Sequence, residues 1–143
     1  MAIKVEGTAV LAQRLKALGQ AAGGKALRSG TLRASLPLFN AVKASAPVGS
    51  VEHRTYKGRL VAPGFLRRNV RRASFLTRDG TKATVAVGFR REAFYAQFLE
   101  FGTGVMKAQP FVERSFYASR DPMLNRLRVT LKQAIEKAAR GSK

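Results

Sequence analysis

The chain lacks cysteine and tryptophan, carries one histidine, and has eight carboxylate side chains against 27 lysines and arginines. Without cysteine, disulfides and thiolate metal sites are excluded. A metal centre needs three or four converging ligands, and one histidine with scattered carboxylates supplies them poorly. That histidine, His53, stands beside Glu52 in a polar stretch. Neighbouring side chains point in different directions unless the backbone turns, so the two are no prepared catalytic dyad. No P-loop, dinucleotide-binding glycine pattern or nucleophile elbow is present. The expectation is a protein that is not an enzyme, with no cofactor and no metal. No window approaches the ~20 consecutive apolar residues that span a bilayer, so no membrane partner is expected. Residues 1–6 lack the charged-then-apolar design of a secretory signal, so a cytoplasmic location at synthesis is expected.

What is present is positive charge. The formal net charge is +19, well beyond the magnitude of ~2–8 that suits a small soluble domain. Such a field attracts polyanions and repels copies of itself, so nucleic acid or an acidic protein surface is the expected partner. With 143 residues and 45% hydrophobic composition, one domain is expected over 1–143.

A first helix is expected from about Thr8 to Gly19: Leu11, Leu15, Leu18 and Ala22 recur at helical spacing after Thr8, a candidate N-cap, and Gly23-Gly24 breaks the pattern. A second helix is predicted from Lys25 to Ala46, with Leu27, Thr31, Ala34, Leu38 and Val42 inward. Pro37 predicts a kink there, or a fresh start with Ser35 as cap. Residues 49–64 read as a long surface loop or flexible arm, poor in large apolar residues. Two strands are predicted over Asn69–Thr77 and Lys82–Arg90, joined at Asp79-Gly80, with Leu76 opposite Ala83 and Val70 opposite Phe89. Phe94, Tyr95, Phe98 and Phe101 then recur at helical spacing, and most of the aromatic residues between 94 and 117 are expected in the core. A helix starting at Pro110 is expected to stop at Asp121-Pro122 and restart, with Leu124, Leu127, Leu131, Ala134 and Ala138 inward.

Arg67, Arg68, Arg71 and Arg72 surround Asn69 and Val70 at the start of the first strand. If extended, this segment puts Arg68 and Arg72 on one face and Arg67 and Arg71 on the other. It is expected to line a channel carrying DNA, neutralising phosphates without reading bases, or to meet an acidic partner, or to protect a sheet edge. Glu100 lies between Leu99 and Phe101. A carboxylate in so apolar a segment needs a partner, and an arginine is the expected one, unless the group sits on the exposed face.

Tyr95, Phe98, Glu100, Phe101, Gly102 and Thr103, followed by Met106, Pro110 and Phe111, form an ordered set. That order resembles the neck or tail-completion proteins of long-tailed bacteriophages, which carry a tyrosine, an apolar-Glu-aromatic-Gly-Thr segment, and then Met and Pro-Phe before a final helix. Ala44-Ser45-Ala46-Pro47-Val48, Gly64-Phe65-Leu66-Arg67-Arg68-Asn69-Val70 and Val85-Ala86-Val87-Gly88 are similar to other segments of that family, in the same order. The arm between Val48 and Gly64 is longer than the resemblance suggests, and Pro37 interrupts a helix expected to be continuous. The resemblance implies an α+β subunit with a long helix packed on a small antiparallel sheet and a C-terminal helix beside it. It also implies a structural protein of the virion neck or tail, formed in the host cytoplasm as a homo-oligomer, with a ring expected. Its partners would be connector or head-completion proteins and tail terminator or tail tube proteins, with genomic DNA passing nearby. The competing expectation is a basic nucleic-acid-binding module without catalytic activity.

Overall fold

The computed structural model describes residues 9–54 and 57–141. In chain order it contains α1 (Ala9–Ala17), α2 (Gln20–Ala34), α3 (Leu36–Ser45), β1 (His53–Arg54), β2 (Leu60–Val61), α4 (Phe65–Arg68), β3 (Val70–Leu76), β4 (Ala83–Phe89), a 3-10 turn (Arg91–Ala93), α5 (Ala96–Phe101) and α6 (Phe111–Arg140). The fold is mixed helix and sheet, with two small antiparallel ribbons, β1–β2 and β3–β4. The chain divides into two compact units. One comprises Met1–Leu36, Arg72–Ala86 and Asp121–Lys143; the other comprises Pro37–Arg71 and Val87–Arg120.

In the first unit α1 ends close to the expected Gly19, whereas the second helix starts at Gln20, ahead of the expected Lys25. Thr8, proposed as a cap, and the side chains of Leu11 and Leu15 lie outside the described residues. The break falls at Gly19, with φ +79 and ψ 160, and α2 runs straight through Gly23-Gly24. Glycine costs a helix about 1 kcal/mol relative to alanine. Here the missing side chains let neighbours approach, because a Cβ on Gly24 would meet Leu76 Cδ2 at 2.9 Å. At Gly30 a Cβ would meet Leu131 Cδ2 at 2.6 Å and Leu131 Cα at 3.2 Å, so α2 and α6 approach closely there. The Thr130 hydroxyl donates to Gly30 O at 2.9 Å, with Arg126 O as its alternative acceptor. Ala26, Ala34, Met123, Leu131, Ala134 and Ile135 are the buried apolar residues described in this unit.

Ser35 separates α2 from α3, and Pro37 sits in the first turn of α3, where its missing N–H is an orphan in any case. The fresh start is therefore present, but Ser35 does not cap α3. Its hydroxyl donates backward to Leu32 O at 2.8 Å.

The second unit is built on Val42, Ala46, Leu66, Val70, Ala93, Ala96 and Phe111, with Phe39, Phe89, Tyr95 and Leu99 packed around them. Phe89 and Phe111 meet edge to face at 5.9 Å. Ser115 donates to Phe111 O at 2.6 Å, which leaves its oxygen to accept from Ser45 at 2.7 Å. The expected arm at 49–64 is not a plain loop: His53 pairs with Val61 and Arg54 with Leu60.

The β3–β4 hairpin keeps its predicted register. Thr77 N donates to Lys82 O at 2.9 Å and Arg90 N to Asn69 O at 2.9 Å, so the same residue sum holds at both ends. Leu76 therefore lies opposite Ala83 and Val70 opposite Phe89. At the tip Gly80 takes φ +71, and its N–H donates to Thr77 O at 2.9 Å. The Asp79 carboxylate accepts from Thr81 N at 3.2 Å and from the Thr81 hydroxyl at 2.7 Å.

The expected interruption at Asp121-Pro122 is absent, since α6 is one helix of 30 residues with Pro122 inside it. The proline deprives Ala118 O of its helical donor, normally a cost of about 3 kcal/mol. Buried side chains on both sides, Ser119 and Met123, hold the helix through it.

Two outcomes follow. Gly30→Ala adds the better helix former, worth about 1 kcal/mol, yet its methyl meets the Leu131 backbone, and overpacking costs about 1–3 kcal/mol. The net result is a lower melting temperature in thermal denaturation. Hydrogen bonds from the Thr77 and Thr81 hydroxyls hold the Asp79 carboxyl down from 3.8 to about 2. Because the folded value is depressed, this contribution is complete above about pH 4 and disappears as pH falls through about 2. The Asp79 carboxyl resonance should titrate near 2 and move back toward 3.8 in Thr77→Val.

Candidate functional site

At 3.6 residues per turn Phe94, Phe98 and Phe101 share one side of the α5 region, while Ala96 and Glu100 share the opposite side. The fold has to choose between two apolar faces. It buries Ala93 and Ala96 and leaves Phe94, Phe98 and Phe101 52%, 41% and 80% exposed. Tyr117 is exposed as well, and of the seven aromatic residues between 94 and 117 only Phe111 is buried, so the expectation that most of them lie in the core is corrected.

Glu100 explains the choice. Its Oε2 accepts from Val112 N at 2.9 Å and its Oε1 from Glu113 N at 2.8 Å. These are second- and third-position amides of α6, which no carbonyl of the helix itself can reach. The carboxylate is a cap delivered from another helix, and it also places negative charge at the positive end of the helix dipole. The expected arginine partner is replaced by two main-chain amides. Facing them requires α5 to turn its alanine side inward and its phenylalanine side outward.

The connection between α5 and α6 is held just as closely. Gly102 takes φ +75 and ψ 179, a region open essentially to glycine alone. A Cβ there would meet Ala108 N at 2.7 Å and Met106 O at 2.8 Å. Thr103 N donates to Met106 O at 2.8 Å, and the Thr103 hydroxyl oxygen accepts from Met106 N at 3.1 Å. Gln109 N donates to Leu99 O at 2.7 Å, and Pro110 O accepts the α6 bond from Arg114 N at 3.2 Å. Phe111 is buried and Val105 fully exposed. Tyr95 stacks on Phe65 at 6.5 Å. Burial pushes its phenol up, and the Arg68 charge works against that shift.

The basic run does not form one extended strand face. Arg67 and Arg68 belong to α4, a helical turn ahead of β3. Arg67 donates to Ala44 O at 3.1 Å, in the last turn of α3, and Arg72 donates to Leu32 O at 2.9 Å, in the last turn of α2. Each guanidinium answers a carbonyl that its helix leaves unpaired. Arg68 donates to Pro63 O at 2.9 Å, and Arg71 to Arg68 O and Val70 O. Arg67, Arg68 and Arg71 remain exposed, whereas Arg72 is half-buried.

His53 is exposed on β1. Among the described residues, no three His, Asp or Glu side chains are grouped so as to hold a metal ion, and no helix is long and apolar enough to cross a membrane. Sequence reasoning missed the groove-forming residues Val48, Val51 and Val61, which show no periodicity. It also missed the capping role of Glu100, for which the only signal is a carboxylate shortly before a Pro-Phe helix start.

Glu100→Ala should cost about 0.5–2 kcal/mol, the range of a lost helix cap, with Glu100→Gln recovering part of the loss in denaturant titrations. Gly102→Ala should be worse, because strain of about 1–3 kcal/mol adds to a backbone collision. Scans against protein-family models, curated proteins and solved structures each return no match to this chain.

Proposed function

We propose that the chain is a structural virion protein of a phage head–tail joint, assembling around the DNA channel to complete or attach the tail. It performs no turnover. It works as a homo-oligomer, with a ring as the expected form, between connector or head-completion proteins and tail terminator or tail tube proteins. The observation that carries this reading is the use made of Tyr95–Phe111. Its carboxylate caps α6, its glycine closes a tight turn, and its helix leaves Phe98 and Phe101 exposed, with Phe98 edge to face against the exposed Phe94 at 6.1 Å. Aromatic residues are enriched at the centres of protein interfaces, and apolar side chains exposed together mark docking surfaces. The net charge of +19 suits a subunit lying near genomic DNA.

The same charge favours a second reading, a nucleic-acid-binding module. Duplex affinity that falls steeply with log salt, with no co-assembly, would support that module. The joint protein should instead co-sediment with tail or connector proteins in nuclease-treated material. The double variant Phe98→Ser, Phe101→Ser should stay folded by circular dichroism and lose that co-sedimentation. Electron microscopy of virions that finds no copy of this polypeptide at the collar would overturn the reading.

A further inference from the structure

The second unit contains a groove of about 320 Å³ that the assembly reading does not use. Val48 and Val51 from the segment after α3, Val61 from β2, Phe65 and Leu66 from α4, and Leu99 from α5 line it, with Tyr95 and His53. That volume is at the lower end of ligand sites and suits one or two apolar side chains. Val48 and Val51 are exposed at 49% and 72%, so the apolar lining continues to the surface.

The surroundings of the groove are cationic. The Arg59 guanidinium lies over the Phe65 ring at 5.6 Å, and Arg68 donates to the carbonyl of Pro63, another lining residue. Arg54 follows the lining residue His53 on β1 and reaches toward Gly58 O at 3.5 Å. Arg54, Lys57, Arg59, Arg67 and Arg68 stand against a single carboxylate, Glu52, between residues 47 and 68. An apolar trough with guanidiniums over its edge is the chemistry that recognises an acidic segment with an apolar anchor. A second copy of this chain is a poor occupant of this groove, because its eight carboxylates are scattered singly along the sequence and form no acidic segment. Nucleic acid would find phosphate partners in the arginines but little use for a trough lined by valine and leucine side chains.

We propose that the groove between β1–β2, α4 and α5 is a docking site for an acidic peptide segment of another protein. One leucine or phenylalanine of that segment enters the trough, and its carboxylates meet Arg59 and Arg68. The site is independent of the virion role: a chain that fails to join tails still binds the peptide, and failures of the two readings are thereby told apart.

The test uses the full chain and a short fluorescent peptide of aspartate and glutamate around one leucine and one phenylalanine. A control peptide has both apolar residues replaced by serine, and inorganic polyphosphate serves as a second polyanion. Fluorescence anisotropy at physiological salt should show the first peptide binding roughly tenfold or more tightly than the control, the worth of burying one large apolar side chain. Val51→Lys removes an apolar wall while adding positive charge, sits at an exposed position and should abolish that difference. Arg59→Glu with Arg68→Glu should weaken both peptides. Unchanged melting temperatures confirm folded variants, and shifts of the Tyr95 ring resonances on adding peptide report occupancy without any variant. Equal binding of both peptides, insensitivity to Val51→Lys, or peptide displacement by polyphosphate with no apolar preference would overturn the proposal. So would concentration-dependent self-association that Val51→Lys abolishes in the absence of peptide binding.

Discussion

The N-terminus of α6 presents amides that its own carbonyls cannot satisfy, and Glu100 supplies the acceptors for two of them. Much of the second unit is arranged around that demand. The carboxylate arrives from α5, so α5 must present Glu100 to α6, and helical geometry then fixes which side chains face outward. Gly102 lets the chain turn back within a few residues, since a Cβ would strike the main chain at Met106 and Ala108. The bond from Gln109 N to Leu99 O ties the two ends of the connection together. The exposure of Phe94, Phe98 and Phe101 is thus the geometric consequence of a cap, and it leaves an apolar surface on a strongly cationic protein.

Charge is used economically on one side and freely on the other. With only eight acidic residues, two are committed to local main-chain structure: Glu100 at a helix start and Asp79 at a hairpin tip. Both accept hydrogen bonds from groups that would otherwise lack a protein partner. The arginines are numerous enough to serve both structure and surface. Arg67 and Arg72 complete helix C-termini through Ala44 O and Leu32 O, where a cation also meets the negative end of the helix dipole. These bonds draw the basic run out of one shared face. Its positive surface is distributed over α4 and β3, while Arg59 and Arg68 flank an apolar groove.

Some of this was legible in the sequence because the signal is local. The alternation of Ala83, Val85, Val87 and Phe89, with Asp79-Gly80 before it, defined the hairpin and its register. Leu127, Leu131 and Ala134 identified the inner stripe of the last helix. Other features were hidden because local preference ran against the outcome. Gly23-Gly24 and Pro122 are strong breakers in isolation, yet both lie inside helices. In the first pair Gly24 leaves room for Leu76, which a side chain there would strike, and buried residues on either side carry the helix through the second. The α5 stripe was misassigned because periodicity shows that side chains share a face without showing which way that face turns.

From the sequence alone come the α+β composition, the positions of most elements, the poverty of catalytic groups and the dominance of positive charge, all properties of residue type and spacing. Tertiary structure decided the partner of Glu100, the outward rotation of the phenylalanine stripe, the diversion of Arg67 and Arg72 to helix ends, and the apolar groove. Each of these joins atoms from segments distant along the chain. Hydrogen-bond satisfaction across such distances is fixed only when the elements have packed.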